Sequence, residues 1–179
     1  MAKLFWGQIP VERATALFYY EAHSETANIL YELKYKSHPE IGEVMGHMMA
    51  KELQPSGFFD GIDGIVAVPL AKRRQRERGY NQSQEIATGI SDITSLPIFK
   101  KVVRRTRFEG SQTRKGRWER NENVEHVFEL IDGTVIQGKH LLIVDDVVTT
   151  GATVTACAKE LAKAGHIKVS VLALGFAKS

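Results

Sequence analysis

"LLIVDDVVTTGAT", residues 141–153, decides how the rest of the chain is read. Four apolar residues run directly into two adjacent acids, and a turn of small residues follows before the sequence becomes helical again. Acids at a strand end cost desolvation, and a small-residue turn leaves backbone donors to be satisfied, so both features need a purpose. Thr149, Thr150, Gly151, Ala152 and Thr153 lead into a helix N-terminus, where free N–H groups, the positive dipole end and threonine hydroxyls can wrap a phosphate. Asp145 and Asp146, just upstream, are about a sugar's span away, and carboxylates accept hydrogen bonds from neighbouring hydroxyls far better than they tolerate a phosphate. The stretch describes a site for a ribose 5-phosphate. It is neither a Gly-Lys-Thr/Ser nucleotide loop nor a Gly-x-Gly-x-x-Gly dinucleotide turn, because neither pattern occurs.

Outward from this stretch, apolar runs alternate with helical periods. Strands are expected at 65–68, 98–103, 141–144 and 168–174, and helices at 25–35, 40–53, 81–91 and 151–164. On the first helix Ala27, Leu30, Tyr31 and Lys34 share a face. On the second, Ile41, Val44, Met45, Met48, Met49 and Leu53 form a core-facing stripe, with His47 a partly exposed helix residue rather than a ligand. Residues 104–123 show no sustained period. Strand–helix alternation argues for an α/β fold with a mostly parallel sheet covered on both faces. Ligands of such sheets bind beyond the carboxyl ends of the strands, where the acids and the small-residue turn lie.

At 179 residues, 43% hydrophobic and 25% charged, the chain suits a single domain, 1–179, with one buried core. No stretch is long and apolar enough to cross a bilayer, so a soluble, cytoplasmic protein without membrane insertion is expected. The single cysteine, Cys157, excludes an internal disulfide and a cysteine-cluster zinc site and reads as a small buried hydrophobe. The net charge of +3 hides an asymmetry. Residues 72–78 carry five Lys/Arg and one Glu, and residues 100–120 carry nine and two. These two stretches reach +11, against −8 for the remainder, which points to a local anion site.

The motif at 141–153 resembles the PRPP-binding motif of type I phosphoribosyltransferases. Together with "VPLAKRRQRERGYNQSQEIA" (68–87), "RRTRFEGSQTRKGRWERNENVEHVF" (104–128) and "LYELKYKSHPEIGEVMG" (30–46), it is similar in order and spacing to the ComF family of competence-associated, phosphoribosyltransferase-like proteins. More distantly it resembles the phosphoribosyltransferase domain of amidophosphoribosyltransferases. Many ComF members carry an N-terminal cysteine-rich zinc segment. No such segment is found here, so a short member or a chain starting just downstream of it is expected.

The resemblance implies a type I phosphoribosyltransferase-like fold with a small hood, placed at residues 4–36. It also implies roles: Asp145 and Asp146 on the ribose hydroxyls, Thr149, Thr150, Gly151, Ala152 and Thr153 on the 5-phosphate, and Leu70, Ala71, Lys72 and Arg73 on pyrophosphate. This pyrophosphate loop departs from the amidotransferase pattern in being far more basic. A flexible loop at 104–121 is implied to close over PRPP, with Arg105, Arg107, Arg114, Lys115 and Arg117 in reach of the leaving group and no single catalytic arginine distinguished. Mg²⁺ is the implied cofactor, held mostly by PRPP and touched by Asp145 or Asp146 through water. Phe5, Trp6, Phe18, Tyr19 and Tyr20 offer rings either for stacking on an acceptor or for packing.

Two functions follow from the resemblance. One is Mg²⁺-dependent transfer of ribose 5-phosphate from PRPP to an unknown acceptor with release of pyrophosphate. The other is a non-enzymatic accessory of DNA uptake that binds single-stranded DNA or a helicase partner, with PRPP at most a regulatory ligand; Tyr80, Phe108 and Trp118, among basic residues, would stack bases. A homodimer is expected by analogy with type I enzymes.

Overall fold

The computed structural model describes residues 1–21, 24–35, 38–106 and 127–177. Its centre is a parallel sheet built from β1 (Ala14–Tyr20), β2 (Gly64–Ala67), β5 (His140–Val148) and β6 (Lys168–Ala177), in the order β1-β6-β5-β2. The helices are α1 (Glu25–Tyr35), α2 (Pro39–Leu53), α3 (Lys72–Arg78), α4 (Gln82–Thr94) and α5 (Ala152–Ala162). A separate antiparallel pair joins β3 (Val103–Arg105) to β4 (Phe128–Leu130). The expected α/β class with a mostly parallel, helix-flanked sheet is the fold observed.

β5 is buried on both faces because its side chains alternate between two cores. Leu141 and Ile143 pack with Val154, Cys157 and Leu161 of α5. Leu142 and Val144 pack with Met45 and Met49 of α2 and Ile86 and Ile90 of α4. The helices that follow β5 and β2 therefore cover opposite faces, and a crevice opens between the loops that lead into them. Glycines set the closeness of α2 and α4: a methyl added at Gly46 would meet the Ile86 carbonyl, and one at Gly89 the Glu43 carbonyl.

Several expectations shift. Residues 14–20, assigned to the hood, form the edge strand β1, paired in register from Ala14↔Val171 to Tyr20↔Ala177. The mixed polar and aromatic run there carries no strand period of its own and is organised by its neighbour β6. Residues 72–78 form α3 rather than a loop. Lys, Arg, Gln and Glu are good helix formers, and Gly79 at φ 84° ends the helix in the left-handed region. The strand expected at 98–103 is reduced to a bridge between Ile98 and Ile65, with pairing resuming at β3. On α1, Leu30 and Leu33 are buried while Tyr31 is exposed. On α2, Met45 and Met49 face the core, but Val44 and Met48 of the expected stripe are about half exposed, because Gly42 and Gly46 complete the buried face. His47, on the outer side, meets Asp92 Oδ2 through Nε2 at 3.0 Å. Among the described residues, no helix is long and apolar enough to cross a membrane.

Candidate functional site

β5 runs four residues further than its apolar core suggests, because Val147 and Val148 continue the pairing with Gly175 and Phe176 of β6. Asp145 and Asp146 consequently sit within the strand, with pairing to β6 at Asp145↔Ala173 and again at Val147↔Gly175. Asp145 is buried at 8% exposure, and its Oδ1 accepts from Ser83 Oγ of α4 at 3.1 Å and from the Asp146 N–H at 2.9 Å. Burial, and after it the charge of Asp146, pushes the Asp145 carboxyl up to about 7. The backbone and Ser83 hydrogen bonds and the Lys34 charge oppose that rise. Asp146 is less buried. Its Oδ1 accepts from the Val147 N–H at 2.6 Å, and its Oδ2 pairs with Lys34 Nζ of α1 at 3.1 Å.

A frame around the acids comes from one short segment. Asn81 caps α4, accepting from the Ser83 N–H at 3.2 Å through Oδ1 while its Nδ2 donates to the Val68 carbonyl at 3.0 Å. Tyr80 donates its hydroxyl to the Leu33 carbonyl, next to Lys34. Residues 80–83 thus tie α1, β2 and β5 together. Lys34, Ser83 and Asn81 were not singled out from sequence as site residues. Nothing in the Asn-x-Ser pattern at the start of α4 tells that the serine reaches across to Asp145, 62 positions away.

The small-residue turn follows at once. Gly151 is buried, adopts φ 78°, and is the N-cap of α5. Only glycine takes that conformation without strain, and Phe5 and Leu4 pack against it so closely that a methyl there would stand 3.1 Å from the Phe5 ring. Thr149, Thr150 and Ala152 are exposed, Thr153 is half-buried, and Thr150 Oγ1 accepts from the Ala152 N–H at 3.4 Å. Asp145 and residues Val147–Val154 line a small cavity of about 30 Å³. The structure therefore brings Asp145 and the 149–153 turn together, with Asp146 beside them in β5.

The second expected loop stands alongside, since β2 is the neighbour of β5 and the Val68 N–H continues the pairing to the Val144 carbonyl at 2.9 Å. Leu70 and Lys72 line a larger cavity of about 680 Å³. Ala71 is the N-cap of α3. Arg73 is 90% exposed and paired with Glu77 at 2.8 Å, one turn along the same helix. Arg105, at the end of β3, lines the same larger cavity, lies 5.5 Å from the centre of the Phe128 ring, and is depressed by burial and by Arg74 while Asp145 opposes that. Arg107, Arg114, Lys115 and Arg117 lie outside the described residues, as do Phe108 and Trp118.

Of the aromatic residues considered for stacking, Phe5 is fully buried beneath the Gly151 turn, and Phe18 and Tyr20 pack against the core. Trp6 and Tyr19 remain exposed, at 72% and 67%. Tyr80 serves the frame rather than an open surface. Cys157 is fully buried and its thiol is pushed far up by burial, which makes it inert. A Mg²⁺ ion would find most of the carboxylate oxygens engaged by Ser83, Lys34 and backbone N–H groups. Such a donor set fits an ion held by substrate oxygens and water better than one ligated directly by both acids.

The phosphoribosyl transferase domain family matches residues 40–177. The DNA utilization protein YhgH of Escherichia coli (strain K12) is 33% identical over 149 residues, covering 82% of this chain, and the chain spans 65% of the length of that relative. Competence protein F of Haemophilus influenzae is 30% identical over 63% of this chain and 49% of its own length. Glutamine phosphoribosylpyrophosphate amidotransferase from B. subtilis, in a structure with ADP and GMP, superposes with a TM-score of 0.51 over 79% of this chain and 30% of that chain. At 21% identity, that likeness speaks for the fold alone. The chain belongs to the phosphoribosyl transferase domain family and is a ComF-family protein with a type I phosphoribosyltransferase-like fold.

Proposed function

We propose that the protein binds PRPP in the crevice between β5 and β2 and transfers its ribose 5-phosphate to an acceptor, releasing pyrophosphate. The observation that carries this reading is the continuity of the acid pair with the Gly151 turn. Two carboxylates suited to ribose hydroxyls stand directly before a turn of small, hydroxyl-bearing residues at the N-terminus of α5, which suits a 5-phosphate. The basic wall from Lys72 to Arg105 lies where the negative charge of a leaving pyrophosphate would need stabilising. Mg²⁺ would neutralise part of that charge when bound with the substrate.

Calorimetric titration of PRPP into the protein, with and without Mg²⁺, tests the reading. Saturable, Mg²⁺-dependent binding is expected for the native chain, with a loss of at least about 100-fold in Asp145→Asn/Asp146→Asn, since two charge-assisted contacts of roughly 1.5–3 kcal/mol each are weakened. Undiminished binding by the double variant would overturn it.

A second reading, binding of single-stranded DNA, is favoured by α3 together with the names of the relatives, which speak of DNA utilization and competence. Lys72, Arg74 and Arg76 are exposed on that helix and make no ion pair among the described residues. Arg74→Glu/Arg76→Glu should weaken binding of a labelled oligodeoxythymidylate by roughly tenfold or more and flatten its salt dependence, while Asp145→Asn/Asp146→Asn should leave oligodeoxythymidylate affinity within about twofold. Anisotropy titrations at two salt concentrations read both effects, and an unchanged salt slope would count against this surface.

A further inference from the structure

On the outer side of α2 and α4, three side chains converge that belong neither to the acid pair and its frame nor to the small-residue turn. Glu43 and His47 stand one helical turn apart on α2, a spacing that puts both on the same face, and Asp92 comes from α4. One ligand atom from each, a carboxylate oxygen or an imidazole nitrogen, lies within 4.8 Å of the other two. His47 Nε2 and Asp92 Oδ2 are 3.0 Å apart. Periodicity alone gives His47 a solvated helix side; the carboxylate of α4 reaches it because the two helices pack so closely. A methyl on Gly89, one turn before Asp92, would meet the Glu43 carbonyl and stand 2.9 Å from the His47 backbone nitrogen. The backbones that carry the three side chains are therefore in direct contact, at a spacing set by glycine.

Charge and geometry both favour a cation at this place. Two carboxylates against at most one imidazolium leave the cluster negative, and Glu43 pairs with no lysine or arginine among the described residues. Its field reaches Glu85 of α4, whose carboxyl is raised above its ordinary value by burial and after it by Glu43, with Lys100 opposing. The His47 and Asp92 side chains are 33% and 49% exposed, so an ion can enter and keep water on its open side. Ligands of a tetrahedral Zn²⁺ stand roughly 3.4 Å apart, given Zn–N and Zn–O bonds of about 2.0–2.2 Å. The separations found here, 3.0 Å for His47 to Asp92 and at most 4.8 Å for the others, reach that value by side-chain rotation alone. One imidazole with two carboxylates suits a borderline ion such as Zn²⁺, whereas Mg²⁺ prefers an all-oxygen, near-octahedral shell.

We propose that Glu43, His47 and Asp92 form a site for a divalent cation of the Zn²⁺ type, which clamps α2 to α4 and keeps water in its fourth position. α4 carries Asn81 and Ser83, so an ion that holds this helix to α2 steadies the frame around Asp145 without touching it. A lone surface ion pair would need only His47 and Asp92, and a merely acidic surface would have no use for an imidazole beside its carboxylates. The site stands independently of transfer chemistry, so failure of PRPP to bind would leave the proposal and its test intact.

Calorimetric titration of ZnCl₂, and separately of MgCl₂, into the full chain tests it, with thermal scans as a second readout. One Zn²⁺ per chain is expected to bind saturably and more tightly than Mg²⁺. His47→Ala, Asp92→Asn and Glu43→Gln should each weaken Zn²⁺ binding at least about tenfold, a loss that even substitutions outside the ligand shell produce. His38→Ala and Asp145→Asn/Asp146→Asn should leave it within about twofold. Excess Zn²⁺ should raise the melting temperature of the native chain and not that of His47→Ala, because an ion bound only to the folded state stabilises it. Asp92→Asn and Glu43→Gln, which conserve shape, keep the test intact should His47→Ala fail to fold. Unchanged Zn²⁺ affinity in any of the three ligand variants would overturn the site, as would loss of binding in Asp145→Asn/Asp146→Asn, which would put the ion on the acid pair. So would Mg²⁺ binding as tightly as Zn²⁺, the mark of a diffuse acidic surface, or no saturable binding at millimolar Zn²⁺.

Discussion

At the scale of single residues, Asp145 is the most consequential group in the structure. A carboxyl whose pKa rises on folding holds a proton that the unfolded chain has already released, so stability falls as pH climbs between the ordinary value of 3.8 and about 7, and the loss is complete above that. Asp145→Asn keeps an acceptor for Ser83 and removes the buried charge. It should raise the melting temperature at pH 8 by roughly 5 °C and change it little at pH 4, as calorimetric scans at the two pH values would read. An equal shift at both would mean that the gain is packing and not charge. Lys34 acts in the opposite sense: Lys34→Met removes a cation that pairs with Asp146 and lowers the Asp145 pKa, and the carboxyl titration of Asp145 followed by NMR should move further upward. The Lys34 ammonium and the Ser83 hydroxyl take carboxylate acceptor positions that the hydroxyls of the proposed ribose would also use.

Among the elements, the packing of α2 on α4 positions that serine. Ser83 can reach Asp145 only because α4 lies tight against β5, and α4 is fixed in turn by the glycine contacts with α2. Gly89→Ala would force a methyl onto the Glu43 carbonyl. Overpacking of this kind costs about 1–3 kcal/mol, so a fall of roughly 3–10 °C in melting temperature is expected in thermal scans. An unchanged midpoint would show that the two helices can separate without penalty. The consequence should reach the site as well, because a displaced α4 carries Asn81 and Ser83 with it and loosens both the cap and the loop that follows β2.

Across the whole molecule, charge is sorted. The basic residues of α3 and of the segment from Lys100 to Arg105 gather at one end of β2, while the acid pair stands one strand away at the end of β5. Opposite charges so close would attract each other in a featureless surface. They are kept apart by sheet spacing and by the partners that Asp145 and Asp146 already have. An anionic ligand that also carries hydroxyls can satisfy both regions at once, which a strand of nucleic acid following the basic side alone would not do. PRPP affinity should accordingly fall with added salt, because the basic wall is largely exposed.

The sequence by itself determined what depends on local pattern. Four apolar residues before two acids, a Thr-Thr-Gly turn and a following helical period specify a strand, a turn and a helix start whose backbone chemistry is set within about a dozen residues, and the two further helices expected at 25–35 and 40–53, observed as Glu25–Tyr35 and Pro39–Leu53, are legible for the same reason. The tertiary structure alone decided what depends on neighbours distant in the chain. β1 is a strand because β6 offers it a partner, α3 is a helix with no buried face, β5 reaches Val148 because β6 pairs with it there, and Lys34 and Ser83 join the site across separations of 112 and 62 positions. Local propensity carries no record of such contacts, because they exist only once β5 is buried on both faces and the helices on either side have closed over its end.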